Sequence, residues 1–344
     1  MNPIMTSLII SSLALGTIIT MSSSHWLLAW LGLELNTLAM IPIISKHHHP
    51  RATEAATKYF LTQAAASATI LFSSTINAWS TGTWDILHIT NQPACIMLTM
   101  ALAMKLGLAP LHFWLPEVLQ GSSIKTALII TTWQKLAPMT LLYLTHHALH
   151  QTTLLTIGLL STLVGGWGGL NQTQTRKIMA FSSIAHLGWM AMVLTLSPNL
   201  MLLNLLLYLL MTTSMFSLLM FSSSKTVQDL TTTWAISPTT TTMALMLLMS
   251  LGGLPPLTGF MPKWLILQEL VAHNLTTTAT LGALSALLSL FFYLRLSYMT
   301  TLTLSPTATQ SKFKWRFQPK LKTTMLTTTL MMSTLMLPST PALI

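Results

Sequence analysis

Four charged residues stand alone in apolar surroundings: Glu34, Lys105, Lys135 and Lys263. A charge at the centre of a bilayer costs roughly 2.5–3.5 kcal/mol even on the lenient insertion scale, so residues of this kind usually line a proton or ion path. The chemistry they imply is movement of charge across a membrane. What must position them is a bundle of helices, each long enough to reach mid-membrane.

Composition agrees. Only 6% of the 344 residues are charged and 52% are hydrophobic, with a mean hydropathy of +0.64, whereas globular domains carry about 25% charge. Apolar stretches recur along the whole length and leave no interval for an extramembrane domain. The expectation is one all-α polytopic domain over 1–344. A single cysteine, Cys95, excludes a disulfide framework, a thiolate-held Fe–S cluster and a Cys-based zinc site within this chain. No Gly-rich phosphate loop or dinucleotide fingerprint occurs, so no bound cofactor or metal is expected. Residues 1–21 lack both the basic start of a secretory signal and the Arg-rich pattern of a transit peptide. Synthesis is therefore expected in the compartment whose membrane the chain enters, or in a bacterium.

Hydropathy predicts about eleven spans, near 4–21, 26–44, 58–79, 93–118, 124–145, 151–170, 177–196, 199–222, 238–272, 275–298 and 323–342. Basic residues should collect in alternate loops. They do so: Lys46, Arg51, Lys58, Lys125, Arg176, Lys177, Lys225, Arg295, Lys312, Lys314, Arg316, Lys320 and Lys322 all fall on one side. The remaining three basic residues are the intramembrane lysines. This partition places the N-terminus on the basic, inner side and the C-terminus outside. It also accounts for the formal charge of +10 without nucleic acid, since no dedicated basic domain exists. Thr runs such as Thr239 to Thr242 are tolerable at helix starts, where hydroxyls bond back to the preceding turn.

Two spans contain a matching interruption. Gly107-Leu108-Ala109-Pro110-Leu111-His112-Phe113-Trp114-Leu115-Pro116 and Gly253-Leu254-Pro255-Pro256-Leu257-Thr258-Gly259-Phe260-Met261-Pro262 share Gly, Leu, Pro, Leu and Pro at the same offsets. Proline removes a backbone donor, so each span should break at mid-membrane, where free carbonyls survive only against protein or water. A purely structural prolyl kink is the competing account of either copy alone. The breaks lie in the fourth and ninth spans, and an odd shift of five reverses direction across the membrane. That spacing predicts inverted repeats, roughly 1–150 and 151–300, followed by a final helix at 323–342. Lys105 precedes the first break by two residues and Lys263 follows the second by one.

The segments Lys105 to Gln120, Phe181 to Met190 (FSSIAHLGWM) and Gly252 to Trp264 resemble the subunit 2 family of NADH:ubiquinone oxidoreductase, respiratory complex I, which is similar to the Mrp-type cation/proton antiporters. The resemblance runs over essentially the whole chain. It implies an antiporter-like module of the complex's membrane arm in the mitochondrial inner membrane, translocating protons while NADH, FMN, Fe–S clusters and ubiquinone are handled by other subunits. It implies partners among the membrane-arm subunits, including subunits 4 and 4L, and lipids. Residue by residue, it assigns Glu34 and Lys105 to an ion pair beside the first broken helix, Lys135 to the central lysine and Lys263 to the outer member of the chain. Parting a low-dielectric pair removes much of its mutual stabilisation, so movement of Glu34 would promote proton release from Lys105. Lysine suits this role because its compact ammonium can be deprotonated under desolvation, whereas arginine stays charged. A static pair that only fixes helix packing is the competing reading.

His112, inside the first break, and His186, near the middle of span seven, are candidate relay members, with a hydrogen-bonded structural role as the alternative for each. His47, His48 and His49, like His146, His147 and His150, read as loop histidines. Asp85, Glu54 and Asp229 fall in predicted loops without a function, and Glu117 and Glu269 stay unassigned. Trp26, Trp79, Trp84, Trp234 and Trp315 are expected as interfacial anchors. Three function classes remain open: a proton-pumping subunit of a redox complex, a freestanding cation/proton antiporter, and a scaffold with inert buried charges.

Overall fold

The computed structural model describes residues 2–47, 49–302 and 324–339, in which helices are joined by turns and loops that carry two isolated β-bridges. The first three helices are α1 (Pro3–Ser22), α2 (Trp26–Ile44) and α3 (Pro50–Thr81). Proline at the first helical turn opens α1 and α3, where a missing N–H costs nothing. α4 (Gln92–Leu106) and α5 (Trp114–Gly121) are the halves of the first broken span, and α12 (Pro238–Gly252) and α13 (Phe260–Ala272) those of the second. Both first halves end on a left-handed glycine, Gly107 at φ 78° and Gly253 at φ 80°, a conformation that penalises any residue with a Cβ.

Between them lie α6 (Ile124–Thr131), α7 (Trp133–Thr145), α8 (Gln151–Gly169), α9 (Thr175–Val193), α10 (Pro198–Ser222) and α11 (Val227–Ile236). The chain closes with α14 (Thr276–Leu302) and α15 (Thr324–Leu335). Four helices, α1, α2, α10 and α14, are long and apolar enough to cross a bilayer unaided. The others are shorter than a bilayer crossing needs or are less apolar.

Three boundaries differ from expectation. α3 begins at Pro50, so Glu54 lies in a helix rather than a loop. The predicted fifth span is two helices, interrupted at Thr132, a turn residue at φ −110°, ψ −70°. α11 was not foreseen; it places Asp229 in its first turn, in a capping box with Thr226. Trp26 is also not an interfacial anchor, being 1% exposed in the core at the start of α2. Trp79 is 92% exposed, as expected of a belt residue. Lys312, Lys314, Trp315, Arg316, Lys320 and Lys322 lie outside the described residues.

Close helix contact rests on small residues, as expected where lipid supplies no hydrophobic drive. A Cβ on Gly16 of α1 or on Gly32 of α2 would stand 2.8 Å from the other glycine's carbonyl oxygen. α8 and α9 meet the same way: a Cβ on Gly188 would lie 2.2 Å from Ser161 Oγ.

The buried apolar side chains form two clusters, and several helices pass from one to the other at polar positions. α2 crosses between Leu33 and Ala39, around Glu34, Asn36 and Thr37; the α4–α5 break crosses between Leu108 and Trp114, around His112. α6 and α7 cross between Ile130 and Ala137, at Lys135; α9 crosses between Ile184 and Leu187, at His186. On α13 the crossing falls between Met261 and Ile266, at Lys263. A polar layer thus divides the apolar bundle.

Loop contacts fall into two sets. In one, Trp26 N bonds Trp84 O and Ile86 N bonds Ser24 O, while Cys95 Sγ bonds Ala148 O and Gln92 meets His150. In the other, Thr175 N bonds Lys225 O, Val227 N bonds Thr173 O, Arg176 bonds Ser122 O, and Arg295 bonds the carbonyls of Leu170 and Gln172.

Candidate functional site in the polar layer

A helix end inside an apolar bundle leaves its last carbonyls without partners unless something caps them. At the end of α4 all four are satisfied. Ala103 O accepts the backbone N–H groups of Gly107 and Leu108. Met104 O accepts from Gly107 N and, at 3.0 Å, from the indole Nε1 of Trp114 across the break. Lys105 O accepts from Gln63 Nε2 at 3.5 Å, and Leu106 O accepts from the ammonium of Lys135.

The second break repeats the last arrangement. Lys263 Nζ donates at 2.8 Å to Gly252 O, which, like Leu106 O, belongs to the residue just before the left-handed glycine. Met249 O accepts from Gly253 N and Leu254 N, as Ala103 O does from Gly107 N and Leu108 N. Lys135 and Lys263 therefore each sit at the negative end of a half-helix dipole. That dipole stands in for the buried carboxylate which neither lysine has.

Lys105 and Lys135, 4% and 1% exposed, line one small cavity of about 10 Å³ together with Leu33, Asn36, Thr37 and Gln134. The expected Glu34–Lys105 ion pair is not formed in this structure. Lys105 Nζ and Glu34 Oε2 are both buried without a hydrogen-bond partner, and the ion pairs among the described residues lie elsewhere. Leu33, Asn36 and Thr37 share the face of α2 turned to the cavity, and Glu34 lies on the flank of that face, about 60° round from Thr37 on a 3.6-residue helix.

Farther along the layer, Tyr208 Oη donates to Thr131 O at 3.0 Å, satisfying the carbonyl just before the α6–α7 discontinuity. The His186 ring lies 5.7 Å from that of Tyr208, and both side chains are buried. A polar sequence thus runs from Lys105 through Lys135, the Thr131–Thr132 break, Tyr208 and His186 towards Lys263. His112 stands apart: its Nδ1 meets Pro110 O at 3.3 Å and it faces a separate cleft of about 430 Å³ with Glu117, Gln172 and Lys177.

Glu117 pairs with Lys58 at 2.6 Å, tying α5 to α3, and Lys58 also bonds Glu54 at 2.6 Å. The Lys58 hydrogen bond holds the Glu54 carboxyl below its usual range. Glu269 approaches His273 at 3.9 Å, and His49 caps α3 through Nδ1. Sequence reasoning missed Asn36, Gln63, Trp114, Gln134 and Tyr208. Their signal was available: Gln134 adjoins Lys135, Asn36 lies two residues past Glu34, and Tyr208 interrupts Leu205–Leu210.

Residues 23–289 match the model of the NADH:quinone oxidoreductase/Mrp antiporter transmembrane family, and residues 290–344 match the NADH dehydrogenase subunit 2 C-terminus. NADH-ubiquinone oxidoreductase chain 2 of Xenopus laevis is 59% identical over 341 residues, 99% of each chain. The chain belongs to the NADH-ubiquinone oxidoreductase chain 2 family. Another family member, chain 2 of Latimeria chalumnae, is 56% identical over 344 residues, covering 100% of this chain and 99% of the relative. Among solved structures, a chain of respiratory complex I from Thermus thermophilus aligns with TM-score 0.82 at 28% identity, over 97% of this chain and 79% of that one. A chain of the Mrp complex from Dietzia shares the fold, with TM-score 0.76 at 16% identity over 88% of this chain and 62% of that one. The chain 2 family is thus helical and membrane-embedded, with the antiporter-type fold.

Proposed function

We propose that this chain is a proton-translocating subunit of the membrane arm of an NADH:ubiquinone oxidoreductase. The observation that carries the reading is the pair of lysines, buried Lys135 and half-buried Lys263, each held on the last carbonyl of a half-helix, with Lys105 sharing the Lys135 cavity. Such a lysine gives up its proton without stranding a counter-carboxylate, because the carbonyl dipole is permanent and the amine remains a donor to it. Protons then pass along the polar layer, with His186 and Tyr208 between Lys135 and Lys263, and Glu34 at the far end beside Lys105. His112 serves the adjoining cleft. Electron transfer belongs to other subunits of the complex.

The reading includes eleven crossings, two inverted five-helix units, an N-terminus on the matrix side of the mitochondrial inner membrane and a C-terminus on the opposite side. The two sets of loop contacts support it, since each joins only loops that eleven crossings put on the same face. Subunits 4 and 4L and membrane lipids are the proposed neighbours.

The deciding experiment is gentle solubilisation followed by activity staining, with Lys105→Met and Lys135→Met variants alongside. The chain should migrate in a very large particle with NADH oxidation, and both variants should lose most proton translocation in vesicles when assembly is normal. Migration alone with cation/proton exchange would establish an antiporter, and full pumping by both variants a scaffold.

A further inference from the structure

Away from the polar layer, α12 and α14 enclose an open groove of about 720 Å³, walled by Met246 and Met249 on one side and by Phe291, Leu294, Arg295 and Tyr298 on the other. Its volume is that of a small-molecule site, typically about 300–1,000 Å³. Arg295 is the charge in it. The guanidinium donates to the carbonyls of Leu170 and Gln172, which hold the fork in place, yet none of the ion pairs among the described residues includes it. The carboxylate of Asp229, on neighbouring α11, is committed to the backbone N–H groups of Lys225 and Thr226. A basic residue at the inner end of a groove between membrane helices attracts the anionic head groups found at that surface. Tyr298, three residues along the same helix and 62% exposed, offers a hydroxyl donor beside it. The walls also speak against a partner helix. Helices that pack in lipid bring small residues together, as Gly16 with Gly32 and Gly188 with Ser161 do here, whereas this groove is walled mainly by Met, Leu, Phe and Tyr. A flexible acyl chain needs no close backbone approach, and unbranched methionines adapt to its shape.

We propose that the α12–α14 groove binds a phospholipid of net negative charge, its phosphate held by Arg295 and Tyr298 and one acyl chain lying along Met246, Met249, Phe291 and Leu294. The net charge is part of the recognition. A zwitterionic lipid brings its own cation to the phosphate, which competes with Arg295, whereas an anionic one leaves the phosphate free to compensate the guanidinium. The apolar walls set the depth of the chain and the arginine sets the head group.

The site rests on the topology proposed above, which puts Arg295 at the inner surface, and not on the proton path. The assembled complex is reconstituted into phosphatidylcholine vesicles holding a trace of one of two photoactivatable probes, phosphatidylglycerol or phosphatidylcholine with the same diazirine acyl chain. Each probe is present in both leaflets, so labelling does not depend on which way the chain is inserted. After illumination, peptides of α12 around Met246 and of α14 around Phe291 should carry about fivefold more of the phosphatidylglycerol probe than of the phosphatidylcholine probe, the preference expected from one arginine near the surface. Arg295→Gln should bring that ratio close to one, Tyr298→Phe should lower it in part, and Met246→Trp, which fills the groove, should remove labelling near Phe291 by both probes. Equal labelling of the unmodified complex by the two probes overturns the proposal, as does an unchanged ratio in Arg295→Gln or a map in which a protein helix fills the groove. Where Arg295→Gln fails to assemble, the ratio in the unmodified complex and in Tyr298→Phe decides. Loss of the proton-carrying role, read from full-rate translocation by Lys105→Met, would leave these ratios as they are.

Discussion

Lys135 is the test of whether a buried charge here is carried or merely present. Its ammonium donates to Leu106 O at the end of α4, so arginine would keep a cation against the same dipole but could not release its proton, and its planar fork needs more room. Lys135→Met removes charge and donor together, leaving Leu106 O uncapped. With assembly near normal in the same sample, both variants should lose most proton translocation in reconstituted vesicles, Arg performing no better than Met. Pumping by Lys135→Arg near the unmodified rate would leave Lys135 only an electrostatic part. At this scale the sequence made the charged residues legible, because a lone Lys or Glu in an apolar run is conspicuous. It did not make their partners legible. Which carbonyl, amide or phenol faces a lysine depends on the angular position of each helix, and Glu34 lies on the flank of the cavity face of α2 rather than on it. Asn36 and Gln134 went unnoticed because an uncharged amide in such a run draws less attention than a charge.

The broken helices explain which elements could be foreseen. Gly107 with Pro110 and Gly253 with Pro255–Pro256 announce their breaks through residues that favour left-handed backbone or lack a donor. The α6–α7 discontinuity at Thr132 has no such residue beside it; the Tyr208 hydroxyl, from α10, donates to Thr131 O there. Trp114 is the cap on which the first break most depends among side chains of the second half-helix. Trp114→Phe keeps an aromatic ring against Tyr59 but deletes the side-chain donor to Met104 O, which retains its bond from Gly107 N, at a cost of about 0.5–1.5 kcal/mol in local stability. Faster hydrogen exchange at residues 104–108 should report it, and unchanged protection there would remove Trp114 from the cap. Outside the membrane, Asp229 makes a pH prediction. Backbone N–H groups of Thr226 and Lys225 hold its carboxyl below the ordinary value of 3.8. A depressed carboxyl contributes stability that is complete above its unfolded pKa and lost as pH falls through the folded value. The start of α11 should therefore show constant hydrogen-exchange protection from neutral pH down to about 4, then loosen, whereas Asp229→Ala should cost about 1 kcal/mol at neutral pH. Loosening that begins at pH 6 would point to another titrating group.

The whole molecule is a polar layer between two apolar clusters, and its orientation decides what that layer does. Basic residues in alternate loops and the same-side loop contacts rest on different physics: the first concerns how a chain is inserted, the second how the folded loops meet. Arg176 on Ser122 O and Arg295 on Leu170 and Gln172 O enter both arguments, since these arginines are among the basic residues expected on the inner side and their hydrogen bonds join loops proposed to share that side. The inverted repeat follows only if the α4–α5 and α12–α13 breaks lie an odd number of crossings apart, so topology is where the reading is most exposed. With Cys95 replaced by Ala to remove the chain's one thiol, single cysteines at Asn91 and Asn274 mark the loops before α4 and after α13, and at Thr173 and Ser223 the loops before α9 and after α10. A membrane-impermeant maleimide added to mitoplasts should label the Asn91 and Asn274 positions, and inverted vesicles should expose those at Thr173 and Ser223. Labelling of all four from one face would remove the eleven-crossing topology. Labelling of Asn91 and Asn274 from opposite faces would put an odd number of crossings between those loops, and the two half-helix breaks would no longer run in opposite directions. With the expected pattern, α4 and α12 deliver their negative ends to the polar layer from opposite sides, so Lys135 and Lys263 face each other along a path that no single helix dipole biases towards either surface.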